Sequence, residues 1–359
     1  MNKVQIIAEA GVNHNGNENL AIDLIDAAVS SGADVIKFQT FITEQLVSKE
    51  AIQAEYQEIN SKQKETQYNM LKKLELSYPA FSRLQEYSQK KGIRFLSTAF
   101  DSKSLRFLTE ELKLDTLKIA SGELTNAPLM LEHARTKKNI ILSTGMATLE
   151  EIKQTLEVFA FGFMSNSREA PTIDGFKDSY DSIAGAEAVK EKVTIMHCTT
   201  QYPTPHEAIN LNAIDLLRDK FNLKVGFSDH SDSVIVPSLA VVKGVTVIEK
   251  HLTLDNLMEG PDHLASLSPS RFREMVENIR LAELSLGAYE KKPSKGELKN
   301  KSVSRKSIHA SKGLKKGELF SETNIVIKRP ETGISPYNYW NLLGTKASKD
   351  YNGGDLIDE

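Results

Sequence analysis

Two short stretches of the chain, Gly226-Phe-Ser-Asp-His230 and Val247-Ile-Glu-Lys-His251, each run from β-type residues into a histidine. The two histidines stand about twenty residues apart in the chain. Because parallel strands end at the same edge of a sheet, we expect His230 and His251 to meet at the open end of a parallel barrel. Two imidazoles that meet at one point favour a site for a divalent metal.

The same order, an apolar run of strand length followed by polar residues, recurs along the chain. The predicted strands are Val4–Ala8, Val35–Phe38, Ile93–Leu96, Thr116–Ile119, Ile140–Leu142, Val193–His197, Lys224–Phe227 and Val245–Ile248. Segments with helical spacing lie between them, and two of these close at Gly32 and Gly244. About eight such units predict an α/β fold, a (β/α)8 TIM barrel. No Gly-x-Gly-x-x-Gly motif follows a strand, which disfavours a dinucleotide-binding sheet.

The composition and the hydrophobic pattern of the sequence change after Gly287. Residues 288–302 are rich in Lys, Glu and Ser and read as a linker. Residues 303–359 contain short β-like runs separated by turns. We therefore predict a catalytic TIM barrel over residues 1–287, a linker, and a small β-rich second domain.

Two insertions interrupt the regular alternation of strands and helices. Gln45–Gln67 follows the second predicted strand, on the barrel face that carries active sites. Phe161–Lys192 precedes the sixth strand and therefore belongs to the opposite face. We predict that this second insertion is an addition to the fold without a part in the chemistry.

Composition excludes several classes of partner. The 359 residues include 45 Lys+Arg and 48 Asp+Glu, a net charge of -3, which gives no electrostatic reason to expect nucleic acid or an anionic membrane. The sequence shows no apolar run near the ~20 residues of a membrane span, and we expect no signal peptide. The single cysteine, Cys198, excludes an internal disulfide and is expected to be a buried thiol. We expect a cytoplasmic protein.

Polar side chains stand at or just beyond the carboxyl end of every predicted strand. In chain order they are Glu9, Asn13 and His14; Lys37 and Gln39; Ser97 and Thr98; Lys118, Ser121 and Glu123; Ser143 and Thr144; Thr199, Thr200 and Tyr202; Ser228, Asp229 and His230; and Glu249, Lys250 and His251. In a barrel these strand ends surround one depression at the barrel mouth, which we call the bowl. Lys37 and Lys118 lie inside apolar runs, where a lysine is costly without a partner.

The residue types in this series indicate the ligands of the bowl. Lysines with several hydroxyl groups suit a phosphate or a carboxylate. Two histidines with carboxylates suit Mn²⁺, Mg²⁺ or Zn²⁺. Two residues of the series have a structural alternative: His14 also fits a turn, and Lys250 should point away from the side of the strand that carries His251.

A series of short motifs resembles the bacterial sialic acid synthase family. The motifs, in one order, are Glu9-Ala-Gly-Val-Asn-His-Asn-Gly16, Lys37-Phe-Gln-Thr40, Leu96-Ser-Thr-Ala-Phe100, Lys118-Ile-Ala-Ser-Gly-Glu123, Leu142-Ser-Thr-Gly-Met146, His197-Cys-Thr-Thr-Gln-Tyr-Pro-Thr-Pro205, Gly226-Phe-Ser-Asp-His230, Glu249-Lys-His-Leu-Thr253 and Gly260-Pro-Asp262. In the tail, Lys316-Gly-Glu, Lys328-Arg-Pro330 and Gly333-Ile-Ser resemble the family's antifreeze-like SAF domain. The resemblance covers nearly the whole chain.

The resemblance implies a synthase that uses phosphoenolpyruvate. Such an enzyme condenses phosphoenolpyruvate with N-acetylmannosamine or a 2,4-diacetamido-6-deoxymannose, and cleaves the C–O bond to release phosphate. The product is N-acetylneuraminate or N,N'-diacetyllegionaminate, and the motifs leave the acceptor open. The expected cofactor is a divalent metal, Mn²⁺ first, with Mg²⁺ or Co²⁺ as alternatives.

The resemblance also assigns roles to residues. Phosphoenolpyruvate is expected to bind Lys37, Thr98, Lys118, Ser121, Ser143 and Ser228. The sugar is expected to bind Glu9, Gln39, Tyr202, Asp262 and Arg329. His230 and His251 are expected to hold the metal, and Glu123 to be the central acid–base or positioning carboxylate, with Glu9 beside it. The family forms domain-swapped homodimers, in which Arg329 would reach the barrel of the other subunit.

Three other functions are compatible with parts of the sequence. A Schiff-base aldolase would use Lys37 or Lys118 as the nucleophile on pyruvate. A different synthase that couples phosphoenolpyruvate to an aldose, such as a pseudaminate synthase, would use a similar bowl. A sugar- or ice-binding module would need only the tail, and it leaves the series of polar strand ends unexplained.

Overall fold

Eight parallel strands close into a barrel in the order in which they occur along the chain. The structure is a computed structural model and describes residues 3–61, 64–165 and 169–358. The strands are β1 (Gln5–Gly11), β2 (Val35–Thr40), β3 (Arg94–Ala99), β4 (Thr116–Ile119), β5 (Asn139–Ser143), β6 (Val193–Cys198), β7 (Lys224–Asp229) and β8 (Val247–His251). Parallel pairing of β1 with β8 completes the barrel and confirms the predicted fold.

Most strands extend further toward their carboxyl ends than the apolar runs predicted. β1 continues to Gly11, and β7 continues to Asp229. The predicted eighth strand ended at Ile248, whereas β8 includes His251. His251 faces the inside of the barrel and Asp229 pairs with Lys250 on the other side of the sheet, yet both belong to their strands, so polarity did not mark the end of the strand.

Helices surround the barrel. They are α1 (Glu18–Ser30), α2 (Thr43–Leu46), α3 (Glu55–Ser61), α4 (Gln67–Leu74), α5 (Tyr78–Lys91), α6 (Ser102–Arg106), α7 (Ala127–Arg135), α8 (Leu149–Met164), α9 (Ile173–Asp181), α10 (Ile183–Lys192), α11 (Asn212–Phe221), α12 (Val236–Val242) and α13 (Pro269–Leu286). Helix α1 has apolar residues three and four positions apart. This face is buried against the strands and consists of Ala21, Leu24, Ile25 and Ala28. The chain turns at Gly32, as predicted, in the left-handed region at φ +83°.

The barrel has two apolar layers. The larger core lies between the strands and the surrounding helices. A separate cluster fills the lower interior of the barrel and consists of Ile7, Val35, Leu96, Ile141, Met196 and Val247. This floor separates the bowl at the carboxyl ends of the strands from the opposite face of the barrel.

The two insertions form helices. The first, Gln45–Gln67, holds α3 and the beginning of α4, and its residues 62 and 63 lie outside the described part. In the second, Phe161–Lys192, α8 continues to Met164 and is followed by α9 and α10, while residues 166–168 lie outside the described part. Phe161 meets Phe176 edge-on at 5.3 Å between ring centroids.

The first compact unit ends at Gly287 and the second begins at Ala288. The predicted linker, residues 288–302, holds most of helix α14 (Lys295–Ser304), which a capping box at Ser294 and Glu297 initiates. In the second unit β9 (Ser307–Ala310) pairs antiparallel with β10 (Ile325–Lys328), and α15 (Tyr339–Leu342) follows. The apolar core of this unit is its own and is formed by residues such as Ile308, Leu314, Phe320 and Ile357. Among the described residues, no helix has the length and apolar character needed to cross a membrane.

Candidate active site

The inside of the barrel is built in layers two residues apart along each strand. Two residues beyond each residue of the apolar floor comes a residue of a polar layer. These are Glu9, Lys37, Thr98, Ser143, Cys198 and Glu249, and all of them are buried. One further step along β2 and β8 brings Gln39 and His251. The alternation of the strands therefore collects most of the predicted site residues in one bowl.

Lys37 lies between two carboxylates. Its Nζ is 2.7 Å from Glu9 Oε2 and 3.5 Å from Glu249 Oε2. The same ammonium group donates to Thr98 Oγ1 at 3.3 Å. The free-energy cost of burying Lys37 inside a strand is thus offset by two carboxylates and a hydroxyl acceptor. This agrees with the expectation that a lysine in an apolar run needs a partner.

Lys118 shares one of these carboxylates. Its Nζ donates to Ser143 Oγ at 2.8 Å and lies 3.4 Å from Glu249 Oε1. The same carboxylate oxygen accepts from Ser228 Oγ at 3.0 Å. Glu249 therefore bridges the two lysines, and the hydroxyl groups of Ser143 and Ser228 flank it.

The ionisation of the four charged groups is shaped by burial and by one another. Burial raises the pKa of the Glu9 carboxyl to about 7, although Lys37 opposes the shift. Burial would lower the pKa of Lys37, but Glu249 and Glu9 outweigh it and raise the pKa. The pKa of Lys118 is lowered by burial. Burial would raise the pKa of Glu249, yet Lys118 and Lys37 lower it. Near neutral pH, Glu9 is thus the carboxyl that can gain or lose a proton.

Glu249 is the site residue that sequence reasoning missed. It was recognised as a strand-end residue, but it was given no role. The available signal was its position two residues before His251 in the same strand, because residues two apart point to the same face. The strand register with Lys37 and Lys118, which makes it the bridge, is visible only in the structure.

His230 presents one ring nitrogen to the bowl. Its Nδ1 lies 2.7 Å from the Thr199 carbonyl oxygen, so Nδ1 carries the proton and donates. Its Nε2 lies 3.2 Å from Ser228 Oγ. A backbone acceptor on one nitrogen and a lone pair on the other is the usual arrangement of a metal-binding histidine. Burial lowers the pKa of His230 to about 4, so the ring is neutral at pH 7.

His251 lies beside it, with 5.5 Å between the ring centroids. Its Nδ1 is buried without a hydrogen-bond partner among the described residues and lies 4.0 Å from Asp262 Oδ2. Burial, with the neighbouring His230 second, holds the pKa of His251 well below its ordinary value. The Tyr202 ring covers His230 at 4.3 Å between centroids. In the described part of the chain no group of three or more His, Cys, Asp or Glu is arranged to hold a metal, so the two imidazoles stand alone.

The predicted sugar residues lie on one side of the bowl. Gln39 Nε2 donates to Glu9 Oε1 at 3.2 Å. Burial raises the pKa of Asp262 to about 6. The pairing of β1 with β2 shifts between Glu9 and Gly11, a bulge at the level of the site. Gly11 has φ +53°, and a Cβ there would come within 3.3 Å of both Gln39 Nε2 and Glu9 Oε1. A side chain at position 11 would therefore crowd the hydrogen-bonded side chains of Gln39 and Glu9.

Two predicted residues of the barrel lie apart from the lysine–carboxylate cluster. Ser121 Oγ accepts from Gly145 N at 3.0 Å and lies 3.2 Å from the buried Cys198 Sγ. Glu123 is half-buried in a short 3-10 turn, and its Oε2 accepts from Asn126 Nδ2 at 2.9 Å. Among the described residues no hydrogen bond or ion pair joins Glu123 to the lysines. Its acid–base role stays a prediction.

Arg329 belongs to the second unit and follows β10. Its side chain is exposed, and its Nε donates to the Ser304 carbonyl oxygen at 2.8 Å. The remaining nitrogens of its guanidinium group keep their capacity to donate to a ligand. Its predicted contact with the sugar stays a prediction.

Lys250 and His14, for which the sequence also allowed a structural role, both make structural contacts. Lys250 is fully buried away from the bowl, with its Nζ 2.7 Å from Asp229 Oδ2, as predicted. His14 Nδ1 accepts from the backbone N of Gly16 at 3.1 Å, which fixes the turn after β1.

A cavity of about 130 Å³ opens beside His251. Its polar side is formed by Gln39, Tyr202, His251 and Asp262, with Gln57 from α3 at its edge. This volume is smaller than a pocket for a whole small ligand and accommodates only part of one. Two buried lysines paired with carboxylates, two neutral imidazoles and a small cavity thus occur at one barrel mouth.

Comparison with known proteins agrees with this geometry. Residues 24–291 match the NeuB family, and residues 305–358 match the SAF domain. The chain belongs to the NeuB family. An N,N'-diacetyllegionaminic acid synthase of Campylobacter jejuni is 44% identical over 100% of both chains. A synthase of the same name from Legionella pneumophila is 42% identical over 98% of this chain and 92% of its own.

More distant relatives have other names. A pseudaminic acid synthase of Campylobacter jejuni is 35% identical over 99% of this chain and 96% of its own. The crystal structure of an N-acetylneuraminic acid (sialic acid) synthetase from Leptospira borgpetersenii, in complex with citrate, has 32% identity and a TM-score of 0.66. It covers 83% of this chain and 90% of that chain. The NeuB assignment thus rests on both sequence and fold.

Lys37→Ala and Lys118→Ala are each expected to raise the KM for phosphoenolpyruvate by about 10- to 100-fold. A charge-assisted hydrogen bond contributes about 1.5–3 kcal/mol, and each variant removes one such cation from the anion site. Steady-state kinetics at a fixed, saturating acceptor concentration measure the change. Lys250→Met, a buried lysine outside the bowl, is the matched control. An unchanged KM and kcat in both bowl variants would contradict the anion site.

Proposed function

We propose that this NeuB-family chain condenses phosphoenolpyruvate with 2,4-diacetamido-6-deoxymannose to form N,N'-diacetyllegionaminate and phosphate. The observation that carries the proposal is the pair of buried lysines, Lys37 and Lys118, bridged by Glu249 beneath two neutral histidines. The choice of acceptor is supported by higher identity to two legionaminic acid synthases, 44% and 42%, than to a pseudaminic acid synthase at 35%.

The anion site suits phosphoenolpyruvate, which carries a phosphate and a carboxylate. Lys37 with Thr98, and Lys118 with Ser143, place one cation and one hydroxyl group at each of two neighbouring positions. One position would take the carboxylate and the other the phosphate. Such two-point binding fixes the C3 carbon in one orientation toward the acceptor.

The reaction balances with water as the third reactant. C3 of phosphoenolpyruvate forms a bond to the aldehyde carbon of the open-chain sugar, and the aldehyde oxygen takes up a proton. Water adds to C2, the bond between C2 and the phosphate oxygen breaks, and a 2-keto acid and phosphate result. Glu9, whose carboxyl pKa is about 7, is suited to hold or release a proton in this sequence, and Gln39 orients it.

The histidines fit a divalent cation. His230 has its Nδ1 engaged with a backbone carbonyl, and His251 has a buried nitrogen without a hydrogen bond among the described residues. We infer that they hold Mn²⁺, with Mg²⁺ or Co²⁺ as alternatives, and leave the other coordination positions to water and substrate. When bound there, the ion would supply Lewis-acid polarisation of the aldehyde oxygen.

The proposal is tested by phosphate release from phosphoenolpyruvate with a panel of acceptors and Mn²⁺. The panel contains 2,4-diacetamido-6-deoxymannose, N-acetylmannosamine and the acceptor of pseudaminate synthases. We expect the highest kcat/KM with the first sugar, and a product mass that contains both reactants less phosphate. Preference for either other sugar would assign a different acceptor, and no release with any of them would contradict the proposed class.

One observation also suits the aldolase alternative. The lowered pKa of the buried Lys118 is a property of Schiff-base lysines. Borohydride in the presence of pyruvate would trap a covalent adduct on an aldolase. We expect no adduct here, because the Lys118 ammonium is engaged by Ser143 and Glu249.

We further propose a domain-swapped homodimer in the cytoplasm. The α14 segment near the start of the second unit is polar and carries no buried residue, which suits a connector. Arg329 at the end of β10 would then complete the sugar site of the other subunit.

A further inference from the structure

The cavity beside His251 has an apolar wall formed by helix α4, which begins at the end of the insertion after β2. Met70, Leu71 and Leu74 of α4 line it, opposite His251 and Asp262. Met70 and Leu74 are buried in a small cluster with Val12 and Phe41, and Leu71 packs against that cluster. The wall therefore belongs to a satellite core of its own and faces the position of the acceptor.

Contacts on several sides hold this wall in place. Thr66 caps α4 by accepting from Asn69 N at 3.2 Å. The Asn60 Nδ2 group donates to the Pro261 carbonyl at 2.7 Å, beside Asp262. At Gly16, φ is +70° and a Cβ would lie 2.2 Å from the Lys73 carbonyl oxygen, so a glycine permits the close approach of α4. The apolar side chains are thus presented by a fixed helix.

The wall has almost no group that could form a hydrogen bond with a hydroxyl group of the ligand. Leucine side chains have no donor or acceptor, and the Met70 sulfur already accepts from Gln53 Nε2 at 3.4 Å. The two acceptor sugars under comparison, 2,4-diacetamido-6-deoxymannose and N-acetylmannosamine, differ in their hydroxyl groups. The diacetamido sugar has a methyl group at C6 and an acetamido group at C4, whereas N-acetylmannosamine has a hydroxyl group at both positions.

We propose that the α4 wall, with Leu71 at its centre, determines the acceptor by packing against the C6 methyl and the methyl of the C4 acetamido group. This inference rests on the proposed synthase function and deepens it. Apolar packing favours the methyl-bearing sugar, and a hydroxyl group buried against the wall loses its water without gaining a partner. A pocket contact of this kind discriminates by about 10- to 200-fold.

The test compares kcat/KM for the two sugars in wild type, Leu71→Asn and Leu46→Asn, at saturating phosphoenolpyruvate. Leu46 packs against the same small cluster but is not among the residues that line the cavity, so its variant controls for a general loss of stability. We expect the ratio of the diacetamido sugar to N-acetylmannosamine to fall about tenfold or more in Leu71→Asn. The ratio should stay within about twofold of wild type in Leu46→Asn, and the KM for phosphoenolpyruvate should be unchanged in both.

The outcomes separate this inference from the proposed function. If wild type turns over neither sugar, the proposed function fails. If wild type prefers the diacetamido sugar and Leu71→Asn keeps that ratio, or Leu46→Asn loses it equally, the wall does not determine the acceptor and the synthase assignment stands. Leu71→Ala removes the same contacts without adding a polar group. It is expected to lower the ratio in the same direction, which keeps the test decisive if the asparagine variant does not fold.

Discussion

His230→Ala and His251→Ala are each expected to lower kcat about a thousandfold and to weaken Mn²⁺ binding by a similar factor. A Lewis-acid cation contributes several kcal/mol to the barrier, and a factor of ten corresponds to about 1.4 kcal/mol. Calorimetric titration of Mn²⁺ into the metal-free protein gives the affinity independently of turnover. Circular dichroism and thermal unfolding check that the barrel is intact, because both side chains lie at its mouth.

The pH dependence of metal binding sharpens this prediction. The pKa of His230 is about 4 in the folded protein, below its ordinary value of 6.5. A proton on His230 therefore competes with the metal only when the pH falls toward 4, and a change of affinity between pH 7 and about pH 5 would come from neighbouring groups such as Asp262, whose pKa is about 6. His197→Gln is the matched control, since His197 bonds the Ile209 carbonyl through Nε2 at 2.7 Å and has no place in the bowl. Wild-type metal affinity in either alanine variant would contradict the metal assignment.

Arg329→Ala is expected to lower kcat/KM for the sugar about 100-fold and to leave the KM for phosphoenolpyruvate unchanged. A charged hydrogen bond to the acceptor accounts for a loss of this size. Lys328→Ala removes the neighbouring exposed cation of β10 and is expected to leave both parameters unchanged. Kinetics with each substrate varied in turn distinguish a sugar contact from a general loss of activity.

Mixed dimers test whether Arg329 serves the other subunit. A dimer of one Arg329→Ala chain and one Lys118→Ala chain contains, if the domains are swapped, one site with both defects and one with none. Such a heterodimer, purified with two different tags, should show about half of the wild-type activity per dimer. If the domains serve their own barrels, both sites carry one defect each and activity should stay at the level of the parents.

Most of the fold could be predicted from the sequence, because it depends on periodicity. Each of the eight predicted apolar runs overlaps an observed strand, and the break after Gly287 coincides with the division into two units. The ends of the strands could not be predicted in the same way. His251 at the end of β8 is polar and faces the inside of the barrel, so hydropathy placed the end of the strand too early.

The composition of the bowl could be predicted, but its connections could not. Lys37 was recognised because a lysine within an apolar strand needs a partner, yet the identity of that partner depends on strand register. Glu9 and Glu249 reach the lysine from β1 and β8, which are first and last in the barrel. The wall formed by Leu71 was missed for a related reason: leucine carries no chemical signal, and its role arises only from the position of α4.

The most direct test of the account uses phosphoenolpyruvate labelled with ¹⁸O at the bridge between C2 and phosphorus. Mass spectrometry of the products is done with and without 2,4-diacetamido-6-deoxymannose. Cleavage of the C–O bond predicts that the label leaves in inorganic phosphate, that release requires the sugar, and that the nine-carbon acid takes its C2 oxygen from water. Label retained in the keto acid or in pyruvate, or phosphate released equally without the sugar, would contradict a phosphoenolpyruvate-dependent synthase at this barrel mouth.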